Sequence, residues 1–166
     1  MRDLQFEDTG SVFNCRVNGI LVKDGKVLLS KLRGDANWTT VGGKVTFGEK
    51  SEDAVIREFR EEMGVSLPVD RLLGIVEHFF DFKGKNFHQY LFVYGLKDPD
   101  DILPVFEGEG PMADNPRGIC RWFPVSDLES VPIKPHCLKR FILSPQSEVL
   151  HLCEIDKVGQ DVTEEK

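Results

Sequence analysis

No run of this chain approaches the roughly 20 consecutive apolar residues of a bilayer-spanning helix, so no membrane association is expected. The N-terminal stretch MRDLQFEDTG has no apolar h-region, and no signal peptide is expected from it. Cysteine is scarce, and the 4 present, Cys15, Cys120, Cys137 and Cys153, show no C-x-x-C spacing. That argues against a disulfide framework or a zinc ribbon and fits reduced thiols in a cytoplasmic protein. Lys/Arg-rich stretches are missing too: 28 acids against 21 bases leave a formal net charge of −7. A long nucleic acid is therefore not an expected partner, since it calls for a basic groove. Internal repeats and low-complexity linkers are also absent, and the 166 residues are read as a single domain, 1–166, with a polar tail from about 153.

What the chain does have is a concentration of acid. Residues 43–65, GKVTFGEKSEDAVIREFREEMGV, place six acids behind a glycine-bounded loop. Glu58, Glu61 and Glu62 stand at i, i+3 and i+4, and a helix from Ser51 to Met63 puts them on one face. Carboxylates that close repel one another, so a solvated helix gains nothing from the arrangement. A divalent cation between them removes the conflict, and an all-oxygen ligand set suits Mg²⁺, Mn²⁺ or Ca²⁺ rather than zinc. Val55, Ile56, Phe59 and Met63 form the opposing face to be buried. Ser51 is the expected N-cap and Gly64 the expected C′ residue. Arg57 can brace Glu61 one turn on while keeping it ionised. The preceding loop from Gly42 to Gly48 holds three glycines, which lets backbone approach a metal or a phosphate.

This segment resembles the Nudix box, G-x5-E-x7-R-E-U-x-E-E-x-G-U with U a bulky aliphatic residue. Gly43, Glu49, Arg57, Glu58, Glu61, Glu62, Gly64 and Val65 fall in register. Phe59 at the first U position and Val41, where many relatives carry Pro, are the departures. The resemblance implies an α/β fold, an α-β-α sandwich around a mixed β-sheet. It also implies a hydrolase that cuts a pyrophosphate bond in a nucleoside diphosphate linked to another group, a small nucleotide such as a nucleoside triphosphate or a nucleotide sugar. Mg²⁺ or Mn²⁺ is the implied cofactor. Glu58, Glu61 and Glu62, with the Gly43 carbonyl, are the implied metal ligands. Glu58 doubles as ligand or general base, Glu49 completes the shell or orients its waters, and Arg57 belongs to the same catalytic group. Relatives recruit a further glutamate from a downstream loop, which singles out Glu107 or Glu109, with Glu107 the chosen ligand. An RNA 5′-end pyrophosphohydrolase and a non-catalytic nucleotide-binding module are the alternative readings. A homodimer is a possible assembly.

The rest of the chain supplies the frame. Strands are expected over Val12 to Val22, Val27 to Leu32, Leu72 to Phe80, Phe87 to Leu96 and Arg121 to Pro124, with hairpin turns at Asp24-Gly25 and around Lys83-Gly84. Asp98 to Gly118 is expected as a loop or lid, and Pro135 to Leu143 as a second helix. Trp38, Phe80, Phe82 and Phe87 are candidates to stack a nucleobase, Trp38 and Phe80 foremost. Arg33 and Lys44 are placed to meet phosphates. His78 and His88 lie on adjacent predicted strands and could face the cleft, with a satisfied structural histidine the favoured reading of each. Sub-family signatures are negative: Phe80-Asp81-Phe82 matches neither the Pro of ADP-ribose-cleaving relatives nor the Tyr of those cutting dinucleoside polyphosphates. Arg121-Trp122-Phe123-Pro124 followed by Asp127-Leu128 resembles MutT-like members of open specificity.

Overall fold

The computed structural model describes residues 2–157 and 160–162. Its larger sheet runs β1 (Gln5–Asp8), β2 (Ser11–Ile20), β7 (Lys85–Leu96), β6 (Val69–Phe82), β10 (Leu150–Lys157) and β11 (Gln160–Val162), with β5 (Val41–Lys44) pairing β2. The β2–β7 and β6–β10 pairs are parallel and the others antiparallel, so the sheet is mixed. A smaller antiparallel sheet takes the order β3 (Val22–Lys23), β4 (Lys26–Leu32), β9 (Gly118–Pro124), β8 (Glu109–Pro111).

Two helices cover opposite sides. Strand alternation sends Cys15, Val17 and Tyr94 to one face of the larger sheet, where Val55 and Phe59 of α1 (Ser51–Met63) pack on them. Leu91, Val93 and Val76 face the other way and meet Leu138, Phe141 and Ile142 of α2 (Leu138–Leu143). The smaller sheet feeds both clusters: Leu28 and Trp122 join the first, Val27 and Leu29 the second. The architecture is the α-β-α sandwich with a mixed sheet that the box implied.

The helix of the box spans Ser51–Met63 as expected, and Gly64 ends it in the left-handed region at φ 75° with its N–H bonded to Arg60 O at 3.0 Å. Its start differs. Lys50 occupies the cap without a side-chain bond, and Ser51 Oγ lies 2.7 Å from Tyr94 OH, pinning the helix to β7. Several other boundaries also move. Gly42, Gly43 and Lys44, expected in a loop, belong to β5, because their backbone pairs with Asn18, Val17 and Arg16. The expected second helix shrinks to Leu138–Leu143, because the Leu138, Lys139 and Arg140 amides bond three residues back, to Pro135, His136 and Cys137, in a tighter turn, while the Glu154 carboxylate accepts from the His136 and Cys137 amides at 2.7 Å each. The polar tail expected from about 153 is corrected over 153–157: these residues form β10 alongside β6, with Glu154 1% exposed. The part of that tail at 158–159 and 163–166 lies outside the described residues.

Candidate active site

Arg57 organises the box. Its Nε and Nη2 donate to the two oxygens of Glu49 at 2.7 and 3.0 Å, and Nη1 donates to Glu58 at 2.7 Å and to Glu61 at 3.1 Å. Nη2 also reaches the Lys44 carbonyl at 2.9 Å, so one guanidinium ties α1 to the segment that precedes it. Glu49 accepts as well from the Thr46 amide at 3.0 Å and the Thr46 hydroxyl at 3.1 Å. The Arg57 bonds outweigh burial and hold the Glu49 carboxyl down at about 2. Arg57 is shifted upward by the same contacts, Glu49 first.

The other carboxylates sit in the opposite electrostatic situation. Burial raises the pKa of Glu58, against the pull of Arg57 and Arg16 and with a push from Glu61. Glu62 is pushed up to about 8, first by burial and then by the charges of Glu58 and Asp114, although the Gly42 amide donates to it. Its Oε2 is buried with no hydrogen-bond partner among the described residues. Beside these carboxylates Gly43 leaves no room for a side chain: a Cβ there would lie 2.3–2.4 Å from the Glu58 carboxyl atoms. Three crowded carboxylates, one with an orphaned oxygen, and a bare backbone in front form a donor set that fits a hard divalent cation.

Beyond β5 the larger sheet carries a polar stripe. Asn14, Arg16 and Asn18 alternate along β2 on the side away from Cys15 and Val17. A cavity of about 420 Å³ is lined by Arg16, Lys44, Phe80, Phe82 and Gln89 among others. A neighbouring cavity of about 460 Å³ shares Arg16, Phe80, Phe82 and Gln89 with it and extends to His78, Lys134 and Asp156. The two make one cleft. Arg16 stands at its box end, where burial lowers the guanidinium pKa and the charges of Glu58, Glu62 and Asp3 support it.

The expected site residues divide accordingly. Glu49, Arg57, Glu58 and Glu61 are brought into one network, and Glu58 also touches the space in front of Gly43. Phe80 and Lys44 line the cleft, Lys44 also pairing with Asp3 at 3.1 Å. Trp38 is a correction: it is 7% exposed and packs edge-on to Phe123 at 4.9 Å in the second core cluster, so its ring has no face for a base. Arg33 is exposed and lies 3.7 Å from Glu109. Glu107 is 91% exposed at its side chain and joins Lys26 at 3.0 Å. The loop carboxylate whose charge acts on Glu62 is instead Asp114, and the Ala113 amide next to it bonds Glu62 O at 2.7 Å. His78 faces the cleft, whereas His88 packs on Phe13, Phe79 and Tyr90 on the other side of the sheet. Arg16 was not singled out from the sequence, though a polar residue at every second position of an apolar strand was its signal.

A carboxylate helix locked by one arginine thus lies behind a bare glycine strand and beside a basic and aromatic cleft. The NUDIX domain family model matches residues 14–142. The uncharacterized Nudix hydrolase YvcI of Bacillus subtilis is 28% identical over 128 residues, covering 71% of this chain and 70% of that protein. An ADP-ribose pyrophosphatase of Methanocaldococcus jannaschii is 42% identical over 62 residues, which cover 36% of this chain and 37% of that protein. The crystal structure of MutT from Bacillus halodurans shares the fold with a TM-score of 0.67 at 23% identity, covering 86% of this chain and 89% of that one. The chain belongs to the Nudix hydrolase family and is an enzyme acting on pyrophosphate bonds.

Proposed function

We propose that the protein is a divalent-metal-dependent pyrophosphohydrolase of a small nucleotide, with its phosphates at the box and its nucleoside in the cleft between Arg16 and Asp156. The observation that carries this reading is the arrangement around Gly43: Glu58 fills the space a side chain would take, and Glu62 Oε2 is buried without a partner among the described residues. Glu58, Glu61 and Glu62 would hold the cation, with the Gly43 carbonyl as a further oxygen. When bound, Mg²⁺ or Mn²⁺ supplies charge neutralisation at the pyrophosphate and an acidified water. Arg57 keeps Glu58 and Glu61 aimed at a common point, and Glu49 holds Arg57 in place. Arg16 and Lys44, which face one another in the β2–β5 register, meet phosphate oxygens at the mouth of the cleft. Phe80 and Phe82 offer aromatic surface to the base. A net charge of −7 would otherwise repel such a substrate, which gives the cation and these bases a second role in admitting it.

The test is a product-release screen with Mg²⁺ and Mn²⁺ over nucleoside triphosphates, nucleotide sugars and 5′-triphosphorylated RNA. Turnover of a small nucleotide is expected, with Glu61→Gln reducing it by about 10²-fold or more at unchanged melting temperature. No turnover across the panel, or full activity in Glu61→Gln, defeats the reading. Preferential cleavage of the RNA favours the 5′-end alternative.

A further inference from the structure

The far end of the cleft carries a charged constellation that phosphate chemistry does not use. Asp156 Oδ2 lies 3.1 Å from His78 Nε2, and its Oδ1 lies 3.3 Å from Lys134 Nζ. All three side chains line the cavity that also holds Phe80 and Phe82. Burial acts to raise the Asp156 pKa, but His78 and Lys134 prevail and keep it below the usual carboxylate range. An ionised carboxylate only accepts, so His78 Nε2 carries the proton between them. His78 Nδ1, in a residue 6% exposed, is buried without a hydrogen-bond partner among the described residues.

The geometry around this pair is fixed from behind. Glu154, two residues before Asp156 on β10, is 1% exposed and binds the amides of His136 and Cys137 at 2.7 Å each. It thereby ties the segment bearing Lys134 to the strand bearing Asp156. In the parallel register Glu154 faces His78 and Asp156 faces Phe80, so carboxylate, imidazole and aromatic ring stand in adjacent rows. Lys134 keeps donors to spare, and each oxygen of Asp156 has a second lone pair.

We infer that Lys134 and Asp156 read the base of the substrate and select guanine. The inference rests on the cleft being the nucleoside site proposed above. A carboxylate beside an ammonium complements an edge that offers two adjacent N–H groups next to a carbonyl oxygen. Guanine alone among the common bases has this edge: N1–H and the 2-amino group face the carboxylate, and O6 faces the ammonium. Adenine and cytosine offer one amino group and then a ring-nitrogen lone pair, which an ionised carboxylate repels. Uracil offers a single N–H between two carbonyls. Specificity arises as much from those repulsions as from the matched contacts.

Calorimetric titration of the full chain with GMP, AMP, CMP and UMP, in EDTA, tests this without turnover. GMP is expected to bind about tenfold or more tighter than AMP. Asp156→Asn turns one acceptor into a donor facing guanine's N–H groups and should erase the preference. Lys134→Met should weaken GMP without strengthening AMP, and it carries the test if Asp156→Asn melts at a lower temperature. Equal affinities for GMP and AMP, or an intact preference in both variants, overturn the inference. Guanine-selective binding without metal-dependent hydrolysis overturns the proposed activity alone. Hydrolysis indifferent to the base, together with equal affinities, overturns only the base assignment.

Discussion

A methyl group on residue 43 would sit 2.3 Å from the Glu58 carboxyl carbon, a contact no real Cβ sustains. Glu58 is bonded to Arg57 at 2.7 Å, and Arg57 in turn to Glu49 and Glu61, so the displaced carboxylate disturbs the whole network. Gly43→Ala is therefore expected to lower turnover by about 10²-fold or more, because misplacement by about an ångström at a catalytic centre has that scale of effect. Far-UV circular dichroism should be unchanged, and near-wild-type activity would separate Gly43 from the site. At this scale the box carboxylates were legible, since spacing alone puts Glu58, Glu61 and Glu62 together and Arg57 within reach of Glu61. Residues whose role depends on a face were not. Nothing in the residue type of Trp38 says that it points into the core, or that the loop charge felt by Glu62 belongs to Asp114 rather than Glu107.

Elements show where local pattern and tertiary context part. Helix α1 has a 3.6-residue apolar period, and its bounds follow from sequence because Gly64 stops it and its apolar face demands a partner. Strand β10 and helix α2 depend on each other instead. The chain from about 153 reads as a polar tail, yet Glu154 is buried there because two amides ahead of α2 supply its hydrogen bonds. A buried carboxylate of this kind is invisible to hydropathy, which counts it as surface. Glu154→Ala leaves those amides unpaired and opens a void, at a cost of about 2–4 kcal/mol. Urea melts should show that loss, and hydrogen exchange should quicken first at His136 and Cys137. A loss under about 0.5 kcal/mol would mean that water replaces the carboxylate without penalty.

At the scale of the whole molecule, the fold stores electrostatic conflict in one place. The chain carries a formal net charge of −7, and within the site burial, with the charges of Glu58 and Asp114 behind it, holds Glu62 up at about 8 while the Arg57 bonds hold Glu49 down at about 2. The same crowding that makes the carboxylates unfavourable neighbours makes them a ligand set, and a cation that binds only the folded arrangement must stabilise it. At a concentration a hundredfold above its dissociation constant, that linkage is worth about 2.7 kcal/mol. For a chain of 166 residues this corresponds to a melting temperature higher by roughly 5–10 °C. Scanning calorimetry with increasing Mn²⁺ should show a shift that grows with the logarithm of metal concentration. Ca²⁺ or Mg²⁺ should produce the same form of curve, since the donors are all oxygens. The shift should collapse in Glu58→Gln/Glu62→Gln, whose metal-free protein is expected to melt at or above the wild-type temperature because the repulsion is gone. That inversion is the distinguishing result: a double variant that is more stable without metal and unresponsive to it separates a ligand site from a salt-bridged surface. An equal Mn²⁺ shift in both proteins would place the cation elsewhere on the acidic surface.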